Sequence, residues 1–287
     1  MIKNDKTKGI IYIIISAFFF ALMGLFVKLS GDLPIIQKSF FRNAVAMIFA
    51  LVIILKNRIF ELPKGKNVKY LLIRSIAGTL GILCNFYAVS KINLADASML
   101  NKLSPFFAVV FSIFILKERA NWKQFLAVTL AFIGALFVMK PTFSFEGLPA
   151  FLGFLGGLGA GLAYAYVRKL TQNGFKGPLV IFYFSMFSCV VTLPWLIFDF
   201  QPMSSLQWLY LVLAGLSASG GQFFITTAYS KAPAKEISVY DYSQIIFTTL
   251  LSLVIFGDLP DALSFIGYGI IIMAAVFNAW NSLNKKA

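Results

Sequence analysis

Residues 94–118 read LADASMLNKLSPFFAVVFSIFILKE, and residues 234–258 read AKEISVYDYSQIIFTTLLSLVIFGD. In the first stretch Ser98, Asn101, Ser104, Ala108 and Ser112 recur at steps of three or four. That spacing places all of them on one face of a helix. Adding 140 to each number gives Ser238, Asp241, Gln244, Thr248 and Ser252. The stripe is repeated position for position, with an aspartate where the first copy has an asparagine. The pattern predicts two helices whose polar faces meet and line a pathway through an apolar surrounding.

That surrounding follows from composition. The chain has 287 residues, of which 59% are hydrophobic and 13% charged, and its mean hydropathy is +0.83. Soluble domains carry about 25% charged residues, so the solvent of this surface is lipid. A membrane helix needs about 20 apolar residues. Ten such runs occur: 9–29, 36–55, 69–90, 95–116, 122–139, 149–170, 178–198, 207–229, 236–256 and 262–281. The expected fold class is an all-α integral membrane protein. The first run is too long for a signal-peptide core and lacks a small-residue cleavage site, so it is read as a retained helix.

The formal net charge of +14 suggests nucleic acid only in a soluble protein. With alternating sides, eighteen lysines and arginines fall with the two termini, from Lys3, Lys6 and Lys8 to Lys285 and Lys286. Six fall on the other side: Lys28, Lys38, Arg42, Lys91, Lys102 and Lys140. Such an excess sets orientation. Both termini are expected to be cytoplasmic, in a multi-pass protein of the cell membrane with no nucleic-acid partner. The chain has no histidine, and Cys84 and Cys189 both lie within apolar runs. A disulfide, a zinc site and a haem site are therefore not expected, and no cofactor is.

The 140-residue offset extends beyond the stripes. Tyr70-Leu71 matches Tyr210-Leu211, Gly81 matches Gly221, Ala88 matches Ala228, and Lys28, Asp96 and Glu118 match Arg168, Glu236 and Asp258. Shared glycine and charge positions at one fixed offset mark an internal repeat, with units at 1–140 and 141–287. Each unit holds an odd number of spans, so the second enters the membrane from the opposite side. Such inverted five-helix repeats place a binding site near the midplane, where the halves meet.

Candidate site residues follow from depth. Asn101 lies roughly 10 Å from the start of its helix at 1.5 Å per residue. Asp241 lies about as deep from the other side of a core of about 30 Å. An intramembrane carboxylate needs a function or a partner. Asp241 is read either as a cavity residue, binding substrate or carrying protons, or as half of a structural pair with Lys102. Ser104 and Gln244 extend the stripes, and Tyr240 flanks Asp241. Arg42 is read either as snorkelling or bridging to Asp32, or as contacting an anionic substrate group. Asn85 and Tyr87 lie on the third run, Tyr164 on the sixth and Gln222 on the eighth. Arg74 is expected to snorkel to the nearer surface, and Asp96 and Glu236 to cap helix starts. Gly153, Gly157 and Gly161 form a doubled small-xxx-small pattern, which brings helices close. No nucleophile–base pair or phosphate loop appears at useful spacing, so an enzyme is not expected.

With these residues in place the chain resembles the drug/metabolite transporter superfamily in its EamA-type branch, over nearly the whole length. The resemblance rests on Val27-Lys28 followed by Pro34 and Arg42, and on Phe86-Tyr87-Ala88 leading to Ala95-Asp96-Ala97. It rests also on Ser104-Pro105, Glu118-Arg119 and Gly134. Ile245 stands where the first half has Pro105, and Asp258 where the family shows glutamate. The resemblance implies a secondary carrier with a central cavity that exports small organic metabolites such as amino acids. Proton or exchange coupling and a monomer or homodimer fit the same reading. An uptake carrier, a flippase for a lipid-linked substrate, and a non-transporting receptor or assembly subunit are the alternatives.

Overall fold

The computed structural model describes residues 3–59, 61–92, 94–119, 121–141, 147–257 and 259–283. Its helices are α1 (Lys3–Leu29), α2 (Ile35–Lys56), α3 (Lys66–Lys91), α4 (Leu94–Asn101), α5 (Ser104–Leu116), α6 (Trp122–Met139), α7 (Gly147–Gln172), α8 (Gly177–Phe198), α9 (Ser205–Lys231), α10 (Ala234–Ile237), α11 (Ser243–Phe256) and α12 (Ala262–Leu283). No strand occurs among the described residues. Among the described residues ten segments are long and apolar enough to cross a membrane, two of them composite: α4 with α5, and α10 with α11. Apolar side chains such as Ile48, Val52, Val190, Val254 and Val276 point outward, each more than half exposed, as a lipid-facing surface requires.

The two composite spans are the stretches with the polar stripes, and each breaks where its stripe is most polar. In the first, Pro105 has no N–H and its ring crowds the carbonyl one turn earlier. The helix closes with Lys102 N–H donating to Ser98 O at 2.9 Å and Leu103 N–H to Leu100 O at 3.3 Å, then restarts at Ser104. In the second, Ile245 offers no such cause, and the backbone tightens instead into a 3-10 helix over Ser238–Tyr242. Side chains take up carbonyls around that turn: Asn278 Nδ2 donates to Glu236 O at 2.9 Å, and Ser243 Oγ to Tyr240 O at 2.7 Å. The breaks are also joined directly, since the Tyr242 hydroxyl donates to Lys102 O at 2.8 Å. The continuous helices expected over 95–116 and 236–256 are thereby corrected to broken ones. Periodicity detects which residues share a face and is insensitive to a short unwound step.

The main helix pairs map onto one another when the halves are exchanged. α1 packs on α9 as α7 packs on α3, α1 meets α11 as α7 meets α5, and α2 meets α9 as α8 meets α3. The pairs α2–α8 and α6–α12 map onto themselves. Glycines on α7 permit close approach to α3, α4 and α5. A Cβ at Gly157 would strike Leu100 O, and one at Gly161 would sit 2.5 Å from Phe107 Cβ. Gly156 and Gly159 serve the neighbouring face of α7, against Asn85 and Ala77 of α3. The glycine row therefore seats α7 directly over the first break.

Contacts between helix ends fall into two sets. Lys6–Glu236 at 3.7 Å, Lys231–Asp5 at 3.6 Å and Lys235 Nζ to Arg119 O at 2.6 Å belong to one. Arg168, buried nearby, donates to Glu118 Oε1 at 2.6 Å and Tyr229 O at 2.9 Å. Lys140–Asp261 at 2.5 Å and the mutual bonds of Gln37 with the Gln201 backbone belong to the other. Cys84 and Cys189 are free thiols. The side chain of Asp96, with Asp258, Lys285 and Lys286, lies outside the described residues.

The Gly157–Leu100 contact yields a stability test. Gly157→Ala adds a methyl against a backbone carbonyl that cannot swing away, and overpacking of this kind costs about 1–3 kcal/mol. The purified variant is expected to unfold at a lower temperature than wild type in the same detergent. An unchanged midpoint contradicts this account of the glycine row.

Candidate functional site

The two breaks open onto a cavity of about 140 Å³. Asn101, Lys102 and Ser104 enter it from the first break, and Asp241 and Gln244 from the second. Its other walls carry Arg42 on α2, Arg74 and Asn85 on α3, Tyr164 on α7, Phe184 on α8 and Gln222 on α9. Residues of both halves are needed to close it.

Lys102 links the halves. Its Nζ lies 3.3 Å from Asp241 Oδ2 and donates to Gln244 Oε1 at 2.7 Å. Both charged side chains are nearly buried, at 11% and 8% exposure. The pair lines the cavity as well as bridging the breaks. The adjoining wall is aromatic: Tyr164 stacks on Tyr229 with centroids 5.2 Å apart, and the Tyr229 hydroxyl shares a hydrogen bond with Ser238 Oγ at 3.2 Å.

Two arginines occupy the rest of the polar wall. Arg42 donates from Nε to Met23 Sδ at 3.1 Å and from Nη1 to Asn43 Oδ1 at 3.2 Å. Asn43 is itself fixed by donating to Ser188 Oγ at 2.9 Å and Ser39 O at 3.0 Å. Arg42 thus faces the cavity, and no Arg42–Asp32 bridge is formed. Arg74 lies over the Phe184 ring, Cζ 3.9 Å from its centroid, a cation–π contact, and donates from Nη2 to Gln222 Oε1 at 3.4 Å. Gly78 makes this possible, because a Cβ there would strike both the guanidinium and Phe184.

The snorkelling expected of Arg74 is therefore corrected. Its helix begins at Lys66, three residues before the apolar run does, which sets Arg74 about 12 Å along the axis. Its face, shared with Gly78, Gly81 and Asn85, turns into the cavity. That shared face is the signal in the sequence that could have placed it.

Two further expectations change. Tyr240 points away from the cavity, and its hydroxyl donates to Ala275 O on α12 at 3.2 Å. A 3-10 turn advances 120° per residue and not 100°, so neighbours of Asp241 are directed differently than in an α-helix. Tyr87 lies beyond the cavity, half-exposed, in a separate apolar pocket of about 560 Å³ with Pro34, Val191 and Trp195. Phe86 lines both spaces. The stripes also fail at their ends: Ser112 Oγ donates to its own helix at Val109 O, and Thr248 lies exposed.

Residues 7–140 and 147–280 each match the EamA-like transporter family. The chain is 31% identical to the pseudopaline exporter CntI of Pseudomonas aeruginosa over 96% of this chain and 97% of that one. It is 26% identical to human solute carrier family 35 member G1 over 88% of this chain and 73% of the other. With the riboflavin transporter of Vibrio cholerae it shares 23% identity over 99% and 97% of the two lengths. A solved crystal structure at 17% identity superposes with a TM-score of 0.78, covering 96% of this chain and 98% of that one, which speaks to the fold alone.

The Lys102–Asp241 pair makes a defined prediction. Removing one member leaves a buried charge uncompensated, which costs about 3–5 kcal/mol, while removing both restores balance. Lys102→Met and Asp241→Asn are each expected to lower the unfolding midpoint, and the double variant to recover most of the loss. Additive losses in a thermal-unfolding cycle contradict the pairing.

Proposed function

Because the chain belongs to the EamA-like transporter family, we propose that it is an alternating-access secondary carrier that moves small organic metabolites out of the cell. The family makes it a multi-pass membrane transporter of the drug/metabolite type and not an enzyme. The mechanism, the direction and the site are the present reading. The observation that carries it is the meeting of two helix breaks, one from each half, at a cavity bridged by Lys102 to Asp241 and Gln244. Broken helices at a repeat interface free backbone and side-chain groups to hold a ligand, and each half can rock about that point.

The halves are read as inverted repeats. The fixed 140-residue offset, the odd number of spans per half and the packing that survives exchange of the halves all support this. Export is supported by the exporter named among the relatives. The excess of lysine and arginine on the loops shared with the termini supports cytoplasmic ends.

In the transport cycle the Lys102–Asp241 bridge acts as the latch. While it is closed, the two breaks are bonded to each other. A proton on Asp241, or a ligand that takes Lys102, breaks the charged bond and leaves only the neutral bonds of Gln244 and Tyr242 to Lys102 to part as the halves move. Coupling to a proton gradient follows directly if the proton is the agent, because an uncharged Asp241 no longer holds the ammonium.

Flux into proteoliposomes of the purified chain tests this, with a labelled metabolite panel measured in both directions. Substrate-dependent flux in wild type, and a loss of at least tenfold or of proton-gradient dependence in Asp241→Asn, is the expected result. An Asp241→Asn variant that folds normally and transports like wild type, with the same gradient dependence, contradicts the latch. Absence of flux across the whole panel contradicts the carrier.

A further inference from the structure

We propose that Arg42 and Arg74 form an anion-binding end of the cavity and that the substrate is a small organic dianion carrying carboxylate groups. The proposal rests on the carrier reading and names the substrate class for it. It starts from charge. Arg42, Arg74 and Lys102 line the cavity against one carboxylate, Asp241. Asp241 is already matched, since its Oδ2 lies 3.3 Å from Lys102 Nζ. The arginines therefore supply two positive charges that no carboxylate answers among the described residues.

Their hydrogen bonds show the same shortage. Arg42 spends Nε on a thioether and Nη1 on an amide oxygen, both neutral acceptors. Arg74 gives Nη2 to an amide oxygen at 3.4 Å, while its Nε and Nη1 have no acceptor, although the residue is only 2% exposed. A guanidinium always carries its charge and presents a planar fork that fits a carboxylate with two parallel bonds. Buried charges within a membrane are paired or line a ligand path. Arg74 is held in that state by construction: Phe184 supports its face and Gly78 leaves it room. What is missing is an acceptor from outside the chain.

The count of charges sets the ligand. A dianion neutralises the surplus, whereas a neutral or cationic metabolite leaves both arginines uncompensated. The volume of about 140 Å³ is on the order of ten times the least that admits one water, which suits a short-chain compound. Asn85, whose Oδ1 has no donor, and Tyr164 are placed to meet hydroxyl or amino groups on such a molecule.

The test measures thermal stabilisation of the purified chain by succinate, L-malate, inorganic phosphate, L-alanine and choline, followed by counterflow of the stabilising compounds in proteoliposomes. Succinate or L-malate is expected to raise the unfolding midpoint saturably, with alanine and choline inert. Arg74→Gln and Arg42→Gln are expected to weaken binding at least tenfold, and Arg74→Lys to retain part of it. Should an arginine variant fail to fold, Gly78→Ala, which displaces the guanidinium and keeps the charge, is expected to weaken binding also. Stabilisation by alanine or choline but not by the carboxylates, by phosphate alone, or by none of the five compounds overturns the proposal. Wild-type binding in folded glutamine variants does so too. Binding without counterflow refutes the carrier and leaves the anion site standing; flux of a neutral or cationic metabolite does the reverse.

Discussion

The structure depends on a small network at the centre of the bundle, in which Lys102 is held through both its side chain and its carbonyl by the opposite half. Its Nζ reaches Asp241 and Gln244, and its carbonyl accepts from Tyr242. A carbonyl freed by a helix break within a membrane has no water to turn to, so it must find a donor in protein or face a wet cavity. Here each break supplies what the other lacks. The first contributes a cation and a free carbonyl, and the second a carboxylate, an amide and a hydroxyl. The two breaks are stable as a pair for that reason, and the cavity exists because both fall at the same place.

The packing around this network is arranged to tolerate it. α7 reaches the first break through glycines, so backbone approaches backbone where a side chain would hold the helices apart. The aromatic wall of Tyr164 and Tyr229 continues the seal beside Ser238. Arg168 ties Glu118, just beyond the end of α5, to the Tyr229 backbone. The broken span is thus fixed at its far end and joined at its centre by a polar bridge. A bridge of that kind can be exchanged for a ligand without dismantling apolar packing, which is the property a moving carrier requires.

Much of this is legible in the sequence, and the rest is hidden for physical reasons. Hydropathy finds the spans because length and apolarity are what the bilayer demands. The repeat offset finds the partners, since Asn101, Ser104, Asp241 and Gln244 all reach the cavity. Tyr240 is misplaced because it lies in a 3-10 turn, where the neighbours of Asp241 are directed differently than in an α-helix, and Thr248, one regular turn beyond Gln244, is exposed. Arg74 is misjudged from the edge of an apolar run, whereas its helix starts earlier, among polar residues that hydropathy does not count. Tyr87 is misplaced by its neighbour Asn85: two residues along a helix differ by about 200°, and it faces another pocket.

The central claim is that one cavity, built by both breaks, opens to each side of the membrane in turn. The most direct measurement uses Ser104→Cys in a chain whose Cys84 and Cys189 are replaced by alanine, reconstituted in vesicles. A membrane-impermeant thiol reagent is supplied from one side and then, in a separate preparation, from the other. The account predicts that the thiol introduced by Ser104→Cys reacts from both sides, while one introduced by Tyr240→Cys in the same background reacts from neither. Reaction of the Ser104→Cys thiol from one side only, or from neither, contradicts it.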